Sequence, residues 1–117
     1  MSNADTIIEI LEREGVEYLF GFPNNRLFNS AATHSLRPII ARTERVAINM
    51  ADSYTRMRNG EKVGVIAVQD GPGIEASFPA VAQAYGDNTP ILMLPGAHAP
   101  AMQDYDPQFI ASRSFRD

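Results

Sequence analysis

The chain has 117 residues, 44% of them hydrophobic and 21% charged. That is one ordinary globular domain, and it excludes disordered, collagen-like and mucin-like classes. Nine arginines and Lys62 stand against fourteen acidic residues, a formal charge of −4. This balance argues against nucleic acid as the main partner, because phosphate-binding surfaces carry a basic excess. There is no cysteine, hence no disulfide framework and no thiolate chemistry. No apolar run reaches the roughly 20 residues of a membrane span, so the expectation is a cytoplasmic protein with no membrane partner.

Thr6 to Glu14 has helical spacing, with Ile7, Ile10 and Leu11 on one face and Glu9, Glu12 and Arg13 on the other. Thr6 and Glu9 have capping-box spacing, and Gly15 is placed for the stop. Residues 1–5 carry no functional weight, since Ser2-Asn3-Ala4 has the look of an expression-vector remnant. Val16 to Phe20 reads as a strand, Gly21 to Asn25 as a loop of turn formers, and Arg26 to Thr33 as a helix. Pro38 to Ala41 is a second strand. Thr43 can cap a helix from Glu44 to about Arg58, in which Ala47, Met50, Ala51, Tyr54 and Met57 keep core-facing spacing. Val63 to Val68 is a continuous apolar run of the kind covered on both faces in a parallel sheet. The loop Gln69-Asp70-Gly71-Pro72-Gly73 follows it. Ile74 to Tyr85 is an Ala-rich helix, with Pro79 limiting how early its ladder begins, and Ile91 to Leu94 is the last strand. From residue 99 onward the periodicity is weak, and the segment reads as irregular with one short helix after Pro107.

Strands alternating with helices predict an α/β class, a three-layer fold with a parallel sheet and helices on both faces. In such folds ligands gather at the carboxyl ends of the strands. Here those are Gly21 to Asn25, Arg42 to Glu44, Gln69 to Gly73 and Pro95 to His98.

Each local feature has a plain structural reading beside the functional one. Gly71-Pro72-Gly73 lets backbone approach a ligand at a helix start, yet a tight strand-to-helix turn needs the same residues. It is neither a Walker loop nor a dinucleotide fingerprint. Glu44 points to the ligand edge of the sheet, yet an acidic residue in a first turn is also what the helix dipole favours. His34 and His98 have no triad partner at recognisable spacing, and no metal-ligand spacing is present. The methionines at 50, 57, 93 and 102 read as core fillers.

In combination the pieces are more specific. Gly15-Val16-Glu17-Tyr18-Leu19-Phe20-Gly21-Phe22-Pro23, then Arg42-Thr43-Glu44-Arg45-Val46-Ala47 and Met50-Ala51-Asp52-Ser53-Tyr54-Thr55-Arg56, resemble the amino-terminal pyrimidine-binding domain of thiamine-diphosphate-dependent enzymes, nearest the acetolactate synthase-like group. Val63 to Gly73 and Ala84 to Gly96 extend the resemblance, which covers about residues 6–98. It implies that Glu44 hydrogen-bonds N1′ of the cofactor's aminopyrimidine and favours its imino tautomer, which asks for a low-dielectric setting. It implies that two loops, Pro23 with Asn24 and Gly71 with Pro72 and Gly73, complete a cofactor-binding pocket. It also implies a 2-keto acid substrate, turned over by decarboxylation or carboligation.

Asn24-Asn25 stands where that group commonly has Gly-Gly, Asp70 where it has Ser, and Ala76 where it has Asn. These departures concern the acceptor substrate more than the cofactor. The Gly-Asp-Gly and later Asn that hold diphosphate and Mg2+ in the family are not present. The resemblance therefore implies that magnesium comes only through a diphosphate-binding domain or subunit outside this chain. On this reading residues 1–117 are an incomplete pyrimidine-binding domain, either a truncated piece, a proteolytic remnant or one subunit of a split enzyme, inactive alone and part of a homo-oligomer. The alternative is a non-catalytic dimerisation or regulatory module of the same fold.

Overall fold

The computed structural model describes residues 2–22 and 24–97. Pro23, His98, Met102 and the expected helix after Pro107 lie outside them. In chain order the elements are α1 (Asn3–Arg13), β1 (Tyr18–Phe22), α2 (Asn25–Ala32), β2 (Arg37–Ile40), α3 (Glu44–Met57), β3 (Gly64–Val68), α4 (Pro72–Gly86) and β4 (Ile91–Pro95). All pairings are parallel, in the order β2-β1-β3-β4. Strand order reverses between β1 and β3, so the crevice where an open α/β sheet accepts ligands lies outside their carboxyl ends.

The two-residue period of the strands sorts their side chains onto two cores. Leu19, Val65 and Ala67 pack with Ile8, Leu11, Leu27, Phe28 and Ala31, which places α1 and α2 on one face of the sheet. Phe20, Ile66 and Val68 pack with Ala47, Ile48, Ala51 and Ala80, which places α3 and α4 on the other. All five residues of β3 are buried, as its unbroken apolar run requires. The three-layer expectation thus holds among the described residues. No helix there is long and apolar enough to cross a membrane.

Three expectations are corrected. The first helix starts at Asn3 rather than Thr6, because Ser2 and Asp5 form the capping box: the Ser2 amide donates to Asp5 Oδ2 at 2.8 Å and the Asp5 amide to Ser2 Oγ at 3.2 Å. The fourth helix starts at Pro72 and runs through Pro79. Proline is well suited to a first helical position, and one lost hydrogen bond at Pro79 is offset by burying Gly73, Ser77, Ala80 and Ala84 along one face. Finally, Met50 and Met57 are exposed, Met57 at 83%, and only Ala47 and Ala51 of the expected stripe are fully buried. The core-facing residues of α3 are Ala47, Ile48, Ala51 and Thr55. Val46, Met50 and Met57 lie on a second, more exposed apolar flank of α3, which borders a groove with Tyr18, Phe20 and Ile39 of the sheet.

Asp5 ties the start of α1 to α2 by accepting from Ser30 Oγ at 2.7 Å. The Ser2 amide, then the Ser30 and Ser2 hydroxyls, hold its carboxyl down at about 2, against an ordinary value of 3.8. A carboxyl with a depressed folded-state pKa stabilises the protein above its ordinary pKa, and that contribution disappears as pH falls through the folded value. Asp5→Asn should therefore lower stability at neutral pH, with the difference from wild type fading between about pH 4 and pH 2. Urea unfolding at stepped pH measures this, and a difference that persists undiminished at pH 2 would refute it.

Candidate functional site

The carboxyl edge of the sheet gathers the loops after β1, β2, β3 and β4. After β3 the chain turns at Gly71, whose φ of +57° suits a residue without Cβ. Pro72 then opens α4. After β2, the Ala41 amide continues the ladder to the Gly21 carbonyl at 2.9 Å. Thr43 caps α3 by accepting from the Val46 amide at 3.3 Å. Glu44 is thereby the first residue of α3, facing the start of α4.

Glu44 is 8% exposed. Its Oε1 lies 3.5 Å from where a Cβ on Gly73 would stand, and that Cβ would also meet Gln69 Cγ at 2.8 Å and Val68 Cβ at 3.5 Å. A side chain at position 73 would be in ordinary contact with this carboxyl and would crowd Gln69 instead. Among the described residues no hydrogen bond or ion pair engages the Glu44 side chain. The amino end of α4 favours a negative charge beside it. Glu44 is thus largely buried, next to the glycine loop expected to flank it. In kind these residues fit an aminopyrimidine ring: a largely buried carboxyl without a protein partner among the described residues stands beside the start of α4.

On the α1 and α2 side of the same edge lies an open cavity of about 1160 Å³, lined by Asn24, Arg26, Gln69, Asp70, Pro95 and Gly96 among others. Glu44 does not line it. The structure therefore brings Asn24, the 69–73 loop and the end of β4 together, and Glu44 with Gly73, on either side of the β3 terminus. Asn24 is engaged within the protein. Its Oδ1 accepts from the Leu27 amide at 3.5 Å and its Nδ2 donates to the Val68 carbonyl at 3.2 Å. Sequence reasoning missed this second bond, and only the capping position before α2 hinted that the side chain had protein partners. His34 sits at the end of α2 with Nδ1 2.8 Å from the Ser30 carbonyl, far from the site elements. Among the described residues no three His, Asp or Glu side chains form a metal-binding group.

The groove between α3 and the β1–β2 part of the sheet is the other notable surface. Tyr18, Phe20, Ile39, Val46, Met50 and Met57 border an open apolar groove. Its rim is polar: the Tyr54 hydroxyl donates to Glu17 Oε2 at 2.8 Å, and Arg58 and Lys62 pair with the same carboxylate. The Tyr54 hydroxyl holds the Glu17 carboxyl below the usual range, while burial, then the Glu17 contact, pushes the Tyr54 phenol up. An apolar face rimmed by charges is typical of a surface that packs against protein. The signal in the sequence was the width of the α3 pattern, which offers apolar residues to more than one side.

The family described as "Thiamine pyrophosphate enzyme, N-terminal TPP binding domain" matches residues 1–112. The chain is 35% identical over 100 residues to the acetolactate synthase large subunit of Haemophilus influenzae, covering 82% of this chain and 17% of that protein. It is 34% identical over 110 residues to the acetolactate synthase isozyme 3 large subunit of Escherichia coli, covering 91% and 19%. To a probable acetolactate synthase large subunit of Methanococcus aeolicus it is 39% identical over 99 residues, covering 82% and 16%. The chain thus spans less than one fifth of these relatives. Among solved structures, benzoylformate decarboxylase from Polynucleobacter necessarius superposes with a TM-score of 0.77 at 18% identity, over 94% of this chain and 21% of that one. That likeness is one of fold.

Proposed function

The chain belongs to the thiamine pyrophosphate enzyme family, as its N-terminal TPP binding domain, and from this premise we propose that its carboxyl sheet edge binds the pyrimidine half of thiamine diphosphate with Glu44 as the proton-sharing acid. The observation that carries the reading is the sequestered Glu44 carboxyl set against Gly73. Gly71, Pro72 and Gly73 are proposed as one wall of the pocket, and the family resemblance adds Pro23 and Asn24 to the proposed cofactor-binding residues. When bound, the cofactor supplies the carbanion sink for cleaving or joining bonds next to a carbonyl. The chain's own residues orient it and control one proton. Glu44 shares a proton with ring atom N1′, and burial excludes water that would compete for either partner.

The substrate proposed is a small 2-keto acid, acted on by decarboxylation or carboligation in the whole enzyme. Diphosphate and Mg2+ are proposed to be held by a separate diphosphate-binding domain, packed on the apolar face of α3 within a homo-oligomer. Residues 1–117 are read as the pyrimidine-binding domain, inactive alone. Calorimetry tests this division. The full-length protein should bind thiamine diphosphate with a requirement for Mg2+, whereas the 117 residues alone should give negligible heat. Tight, Mg2+-dependent binding by the short chain, or no binding by the full-length protein, would overturn it.

A further inference from the structure

The carbonyl of Val68 is a junction of three loops. Val68 closes β3 and directly precedes the 69–73 loop. Its oxygen accepts from Asn24 Nδ2 at 3.2 Å, across 44 residues of sequence, and from the Gly96 amide at 2.8 Å. A carbonyl oxygen has two lone pairs, so this acceptor is saturated. The ends of β1, β3 and β4 therefore meet on one buried atom, and the Asn24 bond is the one contact of the two made by a side chain. Asn24 is also pinned from behind, because its Oδ1 caps α2 at Leu27. An amide carries a donor and an acceptor on one short stem, which is what linking a helix start to a strand end requires. Glycine at this position could do neither.

We infer that Asn24 is a positioning residue: its amide fixes where the 69–73 loop leaves β3, and through that loop the approach of Gly73 to Glu44. Its part in the site is then played through Val68 rather than by contact with a ligand. The consequence for cofactor rests on the function proposed above, while the clamp itself does not.

Two variants separate the clamp from the helix cap. Asn24→Asp keeps an acceptor for the Leu27 amide, since Asp caps as well as Asn, but when ionised it has no proton to give Val68. Asn24→Ser also caps, and its side chain is too short to reach across. Peptide-resolved hydrogen exchange on the full-length protein should show protection over residues 69–75 falling about tenfold in both, with α2 unchanged. At the amino end of α2 an Asp stays ionised at neutral pH, so both variants should lose that protection. Unchanged protection over 69–75 in both variants would overturn the clamp. Titrating thiamine diphosphate with Mg2+ into the same proteins separates the two claims. Binding about tenfold weaker in Asn24→Asp supports positioning of the site, and equal binding by variant and wild type overturns it. A wild type that takes no cofactor removes the proposed function and leaves the exchange result to decide the clamp.

Discussion

Replacing Glu44 by Gln should slow exchange of the C2 proton of bound thiamine diphosphate by a factor of about 100 to 10,000 in the full-length protein, the range typical of lost acid–base help. The amide has nearly the shape of the acid and can still hydrogen-bond, but it cannot pass a proton to and from N1′. Shape and chemistry are thereby separated at one atom. Were Glu44 only a first-turn carboxylate, the same change would cost about 1 kcal/mol or less of interaction with the helix dipole and leave exchange intact. Because the carboxyl is buried without a charged partner among the described residues, Glu44→Gln should hold or slightly raise thermal stability. Equal C2 exchange rates in wild type and variant, measured by NMR of bound cofactor, would return Glu44 to a capping role.

The largest expected loss of stability comes from Gly21→Ala. Gly21 pairs with Ala67 across β1 and β3 and with Ile40 across β1 and β2. A Cβ there would stand 2.0 Å from the Ala67 carbonyl oxygen and 2.6 Å from Phe28 Cζ. The first neighbour is backbone in the central strand pair, and it cannot retreat without breaking the ladder that holds the site. Overpacking of this kind costs about 3 kcal/mol or more. For a domain of this size that lowers Tm by roughly 10 °C or more. Gly86→Ala is the matched control, since its Cβ would meet nothing within 4 Å and should be neutral or slightly stabilising. Thermal unfolding followed by circular dichroism decides the matter. A Gly21→Ala protein with wild-type Tm would mean that β1 and β3 do not pair in this register.

Much of the fold was legible because the parallel sheet writes itself into the chain directly. Val63 to Val68 is apolar at every position because β3 is covered on both faces, and Glu44 follows a strand end because crossover connections put helix starts at the carboxyl edge. Family resemblance carried on Glu44 and the Gly71 to Gly73 loop needed no distances, since contiguous residues bear it. Local rules failed where two local signals competed. Ser2 with Asp5 and Thr6 with Glu9 both have cap spacing, and the earlier one prevailed because Asp5 also reaches Ser30 on α2. Pro79 does not delay the start of α4, because a proline's cost is local while the burial of a helix face is summed along its length.

The sequence by itself determined the fold class and the order of elements, because hydrophobic period and turn residues are short-range properties of the chain. Only the tertiary structure decided which apolar residues of α3 face the sheet and which lie on the helix's more exposed flank. Met50 and Met57 share helical spacing with Ala47 and Ala51, and periodicity does not say how wide the covered stripe is. It also decided that Glu44 is buried against Gly73, that Ala67 forbids a side chain at Gly21, and that Asn24 spans to Val68. Each is a contact between residues far apart in sequence, where close approach follows from the packing of strands and helices rather than from any neighbour along the chain.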